Sequence, residues 1–124
     1  MTNKQIGTEF ERDFCELLAK SGFWVHFITP DRRGAQPFDV IAVRNGNAFA
    51  IDCKTLTDKR ASISISRLEE NQIMAFEKWR KCGNRGTWLA IKHGEEVYML
   101  SYTFLKRAKT VKMEDCIPVE RWLQ

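Results

Sequence analysis

The sequence predicts an α/β fold: a mixed β-sheet of about five strands flanked by helices. Three observations predict it. Apolar residues recur at helical spacing in two stretches, 7–21 and 66–81. Between and after those stretches lie short β-branched or aromatic runs. One pair of runs flanks Asn45-Gly46, a strong hairpin signal. The 124 residues are 44% hydrophobic and 29% charged, which suits one globular domain over 1–124 and argues against disorder.

Each element follows from its residues. Phe10, Phe14, Leu17 and Leu18 form the apolar stripe of the first helix, with Thr8 as expected N-cap, Glu11 as its capping-box partner and Gly22 as the stop. Residues 23–29 read as a strand and 30–37 as a loop with two prolines, a glycine and two arginines. Strands at 38–43 and 48–54 form the hairpin. Ile63 and Ile65 suggest a short strand. Ser66 is the expected cap of the second helix, with Glu69 three residues on. Strands at 87–91 and 97–101 follow, and Pro118 opens a short helix at 119–123.

Composition excludes several classes. No apolar run approaches the ~20 residues of a membrane span. The opening Met-Thr-Asn-Lys-Gln lacks an apolar core, so no secretory signal is expected and the location implied is cytoplasmic. Cysteines 15, 53, 82 and 116 form no CxxC pair, which excludes zinc spacing and suggests reduced thiols. Cys15 and Cys53 are expected in the core, as are Trp24, Trp79, Trp88 and Trp122. His26 and His93 have no ligand-like neighbours. The net charge is +4, but residues 54–112 alone carry +7. A basic middle suits a polyanionic partner.

The chemistry concentrates around one hairpin. Asp39 opens one strand and Asp52 lies near the end of its partner, so the hairpin brings their ends together. Asp52 and Lys54 share a face, with Cys53 opposite. The strand around them is apolar, so these charges must pair or bind an ion. Two nearby carboxylates favour a hard cation such as Mg²⁺, and a lysine beside it suits phosphodiester hydrolysis. A structural salt bridge is the alternative. Arg32 and Arg33, in the loop before Asp39, are placed to hold a DNA backbone, and Lys59 and Arg60 extend that rim.

Pro37-Phe38-Asp39 followed by Asp52-Cys53-Lys54 resembles the signature of the PD-(D/E)XK nucleases. Gly7-Thr8-Glu9-Phe10-Glu11-Arg12-Asp13, with Leu17-Leu18 and Ser21-Gly22-Phe23, resembles the opening of archaeal-type Holliday junction resolvases. Ser62 to Ser66, with Gln72 beyond, is similar to the bacterial RecU-type resolvases. Phe38 splits the usual Pro-Asp pair, and Asp52 stands where these resolvases often have glutamate. The resemblance covers about residues 5–102 and leaves 103–124 as a C-terminal extension. It implies a restriction-endonuclease-like core and a metal-dependent, structure-specific DNA endonuclease. Asp39, Asp52 and the Cys53 carbonyl would hold Mg²⁺, with Mn²⁺ substituting. Glu11, preferred over Glu9 and Asp13, would complete the acidic cluster. Lys54 would act on the attacking water or the phosphate, and Gln72 would support the site. The implied partner is branched or four-way DNA, bound by a homodimer, in a bacterial or phage setting. Another nuclease of this superfamily, restriction-like, repair or nicking, is one alternative reading. A catalytically silent DNA-binding or inhibitory protein is the other.

Overall fold

In the computed structural model, the described residues are 2–29, 36–56, 59 and 61–124. The sheet is built around its longest strand. Helix α1 (Asn3–Lys20) leads to β1 (Trp24–Phe27), then β2 (Val40–Arg44) and β3 (Asn47–Leu56). After β4 (Ser62–Ser64) comes α2 (Glu70–Lys81), followed by β5 (Gly86–His93) and β6 (Glu96–Ser101). The chain closes with α3 (Tyr102–Ala108), β7 (Thr110–Lys112), β8 (Ile117–Pro118) and α4 (Val119–Trp122).

The main sheet has six strands in the order β1-β2-β3-β5-β6-β8, and β4 and β7 form a separate ribbon. Neighbours are antiparallel except β3 and β5, which the α2 crossover makes parallel. The sixth strand, beyond the five expected, is the two-residue β8. Alternation along β3 divides the core in two. Ile51 and Cys53 join Phe10, Phe14 and Leu18 of α1. Ala50 and Leu56 join Phe76 of α2 and Leu105 of α3. Asn45 and Gly46, both at positive φ, make the β2–β3 turn.

Several boundaries differ from the sequence reading. Helix α1 starts four residues early, because Thr2 and Gln5 form the capping box. Thr8 instead bonds its hydroxyl back to the Lys4 carbonyl inside the helix. Ser66 lies in a 3-10 turn with Ile65, and the α2 cap is Glu69. Residues 103–124 supply buried Leu105, Val111, Met113 and Val119, and they pair with both sheets. Trp24 is not core: it is 61% exposed on edge strand β1 and stacks on His26. Trp122, by contrast, packs on Phe23, Phe49 and Trp88 at centroid distances of 5.7, 5.4 and 5.6 Å. Cys15 and Cys53 are half-buried.

Gly86 is required where β3 and β5 meet. A Cβ there would lie 2.5 Å from Phe49 Cδ1 and 2.9 Å from the Ala48 carbonyl oxygen. Gly86→Ala should therefore cost about 1–3 kcal/mol, the usual range for overpacking, read as a lower urea midpoint. Gly7→Ala is the control: its Cβ meets nothing within 4 Å on α1, so it should be neutral or stabilising.

Candidate active site

The site forms where β2 begins, β3 continues and α2 begins. Val40 pairs with Ile51, yet the Asp39 N–H also donates to the Ile51 carbonyl at 3.1 Å. Two residues thus face one, the arrangement of a β-bulge, which re-aims a side chain at a strand end. The bulge replaces the simple cross-strand pair expected for Asp39 and Asp52. It explains why Phe38 and Val40, two residues apart, belong to opposite halves of the core. Asp39 Oδ2 accepts the Cys53 N–H at 2.7 Å, so the side chain completes the ladder just before the start of β2.

Asp52 lies in mid-strand on β3 and is fully buried. Gln72 Nε2 donates to its Oδ1 at 3.0 Å. The Lys54 ammonium lies 3.1 Å from Oδ2, but that oxygen has no hydrogen bond of good alignment. Gln72 Oε1 accepts from Lys54 Nζ at 3.2 Å and from the Glu69 N–H at 3.0 Å. One amide therefore closes the helix N-terminus and holds both Asp52 and Lys54. That capping bond fixes the first turn of α2 against the sheet.

A cleft of about 310 Å³ is lined by Glu11, Gln36, Asp39, Asp52, Cys53, Lys54, Glu69, Asn71 and Gln72. It brings together Glu11, Asp39, Asp52, Cys53, Lys54 and Gln72, all singled out from the sequence. Glu9 is exposed on another side of α1, and Asp13 is exposed 3.6 Å from Arg12. Lys59 is exposed and does not line the cleft. Arg32, Arg33 and Arg60 lie outside the described residues. Gln36 and Asn71 are not singled out in the sequence, and Glu69 is named there only as a capping residue. Only the proximity of Asn71 to Gln72 and of Gln36 to Asp39 hinted at them.

The acidic groups disturb one another. Burial pushes the Glu11 carboxyl up to about 7, and the Asp39 carboxylate adds to the rise. Burial also pushes Asp52 up to about 8; Asp39 reinforces this and Lys54 opposes it. A divalent cation would relieve both effects. The donor set fits one: it is all oxygen, and among the described residues the buried Asp52 Oδ2 has the Lys54 ammonium nearby but no well-aligned hydrogen bond. Among the described residues, no three His, Cys, Asp or Glu side chains converge into a cage.

A raised carboxyl pKa binds its proton more tightly in the folded state than in the unfolded one. The metal-free protein should thus lose stability as pH rises from the ordinary value of 3.8 through about 8. Asp52→Asn removes that loss. In chelator, its Tm should exceed that of the wild type at the upper end of this range, and the gap should close at the lower end. A gap that ignores pH would contradict the raised pKa.

The model of the family described as archaeal Holliday junction resolvase (Hjc) matches residues 2–123. No curated protein sequence matches the chain. Among solved structures, the fold is similar to Hjc from Archaeoglobus fulgidus, a Holliday junction resolvase from an archaeal hyperthermophile. The identity is 20% and the TM-score 0.72, over 95% of this chain and 100% of that one. It is also similar to the bacterial homing endonuclease I-Ssp6803I, at 14% identity and TM-score 0.58, over 89% of this chain and 73% of that one. The family match takes in residues 103–123, which the sequence resemblance left outside. Junction resolvases of this kind use divalent metal ions. With a restriction-like core and a family match across nearly its whole length, the chain belongs to the archaeal Holliday junction resolvase family of structure-specific nucleases.

Proposed function

We infer that this protein is a Mg²⁺-dependent endodeoxyribonuclease that cuts four-way DNA junctions as a homodimer, with Mn²⁺ able to replace Mg²⁺. The observation that carries the metal site is the buried Asp52 beside Asp39, with Lys54 at 3.1 Å. Asp39 and Asp52 hold the ion, the Cys53 carbonyl contributes a third oxygen, and Glu11 acts through water. When bound, the ion acidifies water and neutralises charge on the scissile phosphate. Lys54 orients the attacking water or meets the charge developing on the phosphate. Gln72 holds Asp52 and Lys54 in register, so neither reorganises during the reaction. Two symmetric cuts require two such sites, and a twofold dimer matches the symmetry of the junction. Arg32, Arg33, Lys59 and Arg60 bind phosphates along the approaching arms.

The test is cleavage of junction, duplex and single-stranded DNA in parallel, with and without Mg²⁺. Paired symmetric cuts in the junction alone are expected. Equal cutting of plain duplex would favour a restriction-like or homing-type nuclease instead. No cutting of any substrate would favour a silent binding protein. Asp39→Asn and Asp52→Asn should abolish cleavage. Lys54→Ala should lower the rate by roughly 10²–10³-fold, as for other groups that stabilise developing charge.

Binding separates from chemistry. Without Mg²⁺, Asp39→Asn should bind the junction at least as tightly as wild type, because it removes a charge facing phosphate. Replacing Arg32 and Arg33 together by alanine should weaken binding. It should also flatten log affinity against log salt by about 1 per lost contact. An unchanged slope would remove those arginines from the DNA surface.

A further inference from the structure

The first turn of α2 reaches both Asp52 and Asp39 in the cleft, by two different routes. Gln72 touches Asp52 directly. Its neighbour Asn71 donates from Nδ2 to the Gln36 backbone carbonyl at 3.0 Å. Gln36 in turn donates from its side-chain Nε2 to Asp39 Oδ1. An ionised carboxylate only accepts, so the amide must present its nitrogen there. The geometry points to an Asn71–Gln36 relay as the positioning device for Asp39. It carries the placement of α2 to the second carboxylate and so sets how tightly the site holds its divalent cation.

The need for such a device follows from the bulge. Asp39 sits where regular pairing of β2 stops, and its Oδ2 is tied by the Cys53 N–H. Without a second tie, the carboxylate could still turn about that bond. Gln36 supplies the tie on Oδ1. Gln36 lies in irregular chain two residues before Phe38, with no ladder of its own to hold it. Asn71 supplies that hold from a rigid helix. The cleft thus has matched amide supports, Gln72 for Asp52 and Gln36 for Asp39, both set by one helix turn. Partners that orient a metal-binding carboxylate in this way are typically worth roughly 10–100-fold in metal affinity or activity.

The relay rests on the reading of Asp39 and Asp52 as cation ligands, and one experiment separates the two ideas. Mn²⁺ alone is titrated into the full chain without DNA, and free Mn²⁺ is read by electron paramagnetic resonance. Gln36→Ala should weaken binding about tenfold. Asn71→Ala should weaken it less. The double variant should match Gln36→Ala, because Asn71 acts only through Gln36. In cleavage assays, Gln36→Ala should raise the Mg²⁺ needed for half-maximal rate by a larger factor than it lowers the rate at saturating Mg²⁺. Gln36 is half-buried and Asn71 exposed, so circular dichroism should show an unchanged fold. Wild-type Mn²⁺ affinity in Gln36→Ala overturns the relay, as do single effects that add fully in the double variant, provided Asp39→Asn has lost binding. If Asp39→Asn binds Mn²⁺ as wild type does, the cation site itself fails and the relay falls with it.

Discussion

A carboxylate buried in the middle of a sheet is the constraint around which this molecule is arranged. Asp52 is fully buried: the Val40–Ile51 pair flanks it on one edge, Leu89 of β5 pairs with it on the other, and Gln72 of α2 bonds its carboxylate. Leaving such a group charged and unpaired would cost several kcal/mol. The fold supplies partial compensation through Lys54 and Gln72 and then undoes part of it by placing Asp39 nearby. The deficit that remains is what a divalent cation would fill. Instability kept at a candidate active site in this way matches a common exchange of stability for activity.

That constraint fixes where other elements must lie. Gln72 reaches Asp52 only because Glu69 ends the preceding chain and α2 starts at Glu70, with the Gln72 side chain closing the cap. A one-residue shift of that cap would rotate Gln72 by about 100° off the cleft. The bulge at Asp39 performs the same service on the neighbouring strand. It aims the carboxylate at the Cys53 N–H, where its charge acts on both Asp52 and Glu11 of α1.

The rest of the chain keeps this geometry stiff. Phe38 stacks on Phe76 at 5.8 Å and meets Trp79 edge-on at 5.6 Å, which pins the segment before Asp39 to α2. On the opposite face, Trp122 of α4 closes an aromatic cluster over Phe23, Phe49 and Trp88. Phe49 in turn lies over Gly86, where β3 and β5 approach too closely for a Cβ. The C-terminal residues are thus part of the support for β3, and the family match runs through them.

By itself the sequence determined the elements with strong local signals. The α1 stripe, the Asn45-Gly46 hairpin and the shared face of Asp52 and Lys54 depend on periods of 3.6 and 2, which are visible along the chain. Those periods, with the motif resemblance, were enough to gather Glu11, Asp39, Asp52, Lys54 and Gln72 as candidates. Helix starts were less legible, because Thr2 and Thr8, or Ser66 and Glu69, are competing caps and only packing chooses between them. The 102–108 helix was hidden because its short pattern makes sense only against Phe76 and the β4–β7 ribbon. Trp24 was misplaced because spacing cannot tell an edge strand from a central one. Only the tertiary structure decided the bulge at Asp39 and the contacts of Gln36 and Asn71. The Asn71–Gln36 bond joins residues 35 positions apart, and no local period encodes a hydrogen bond over that separation.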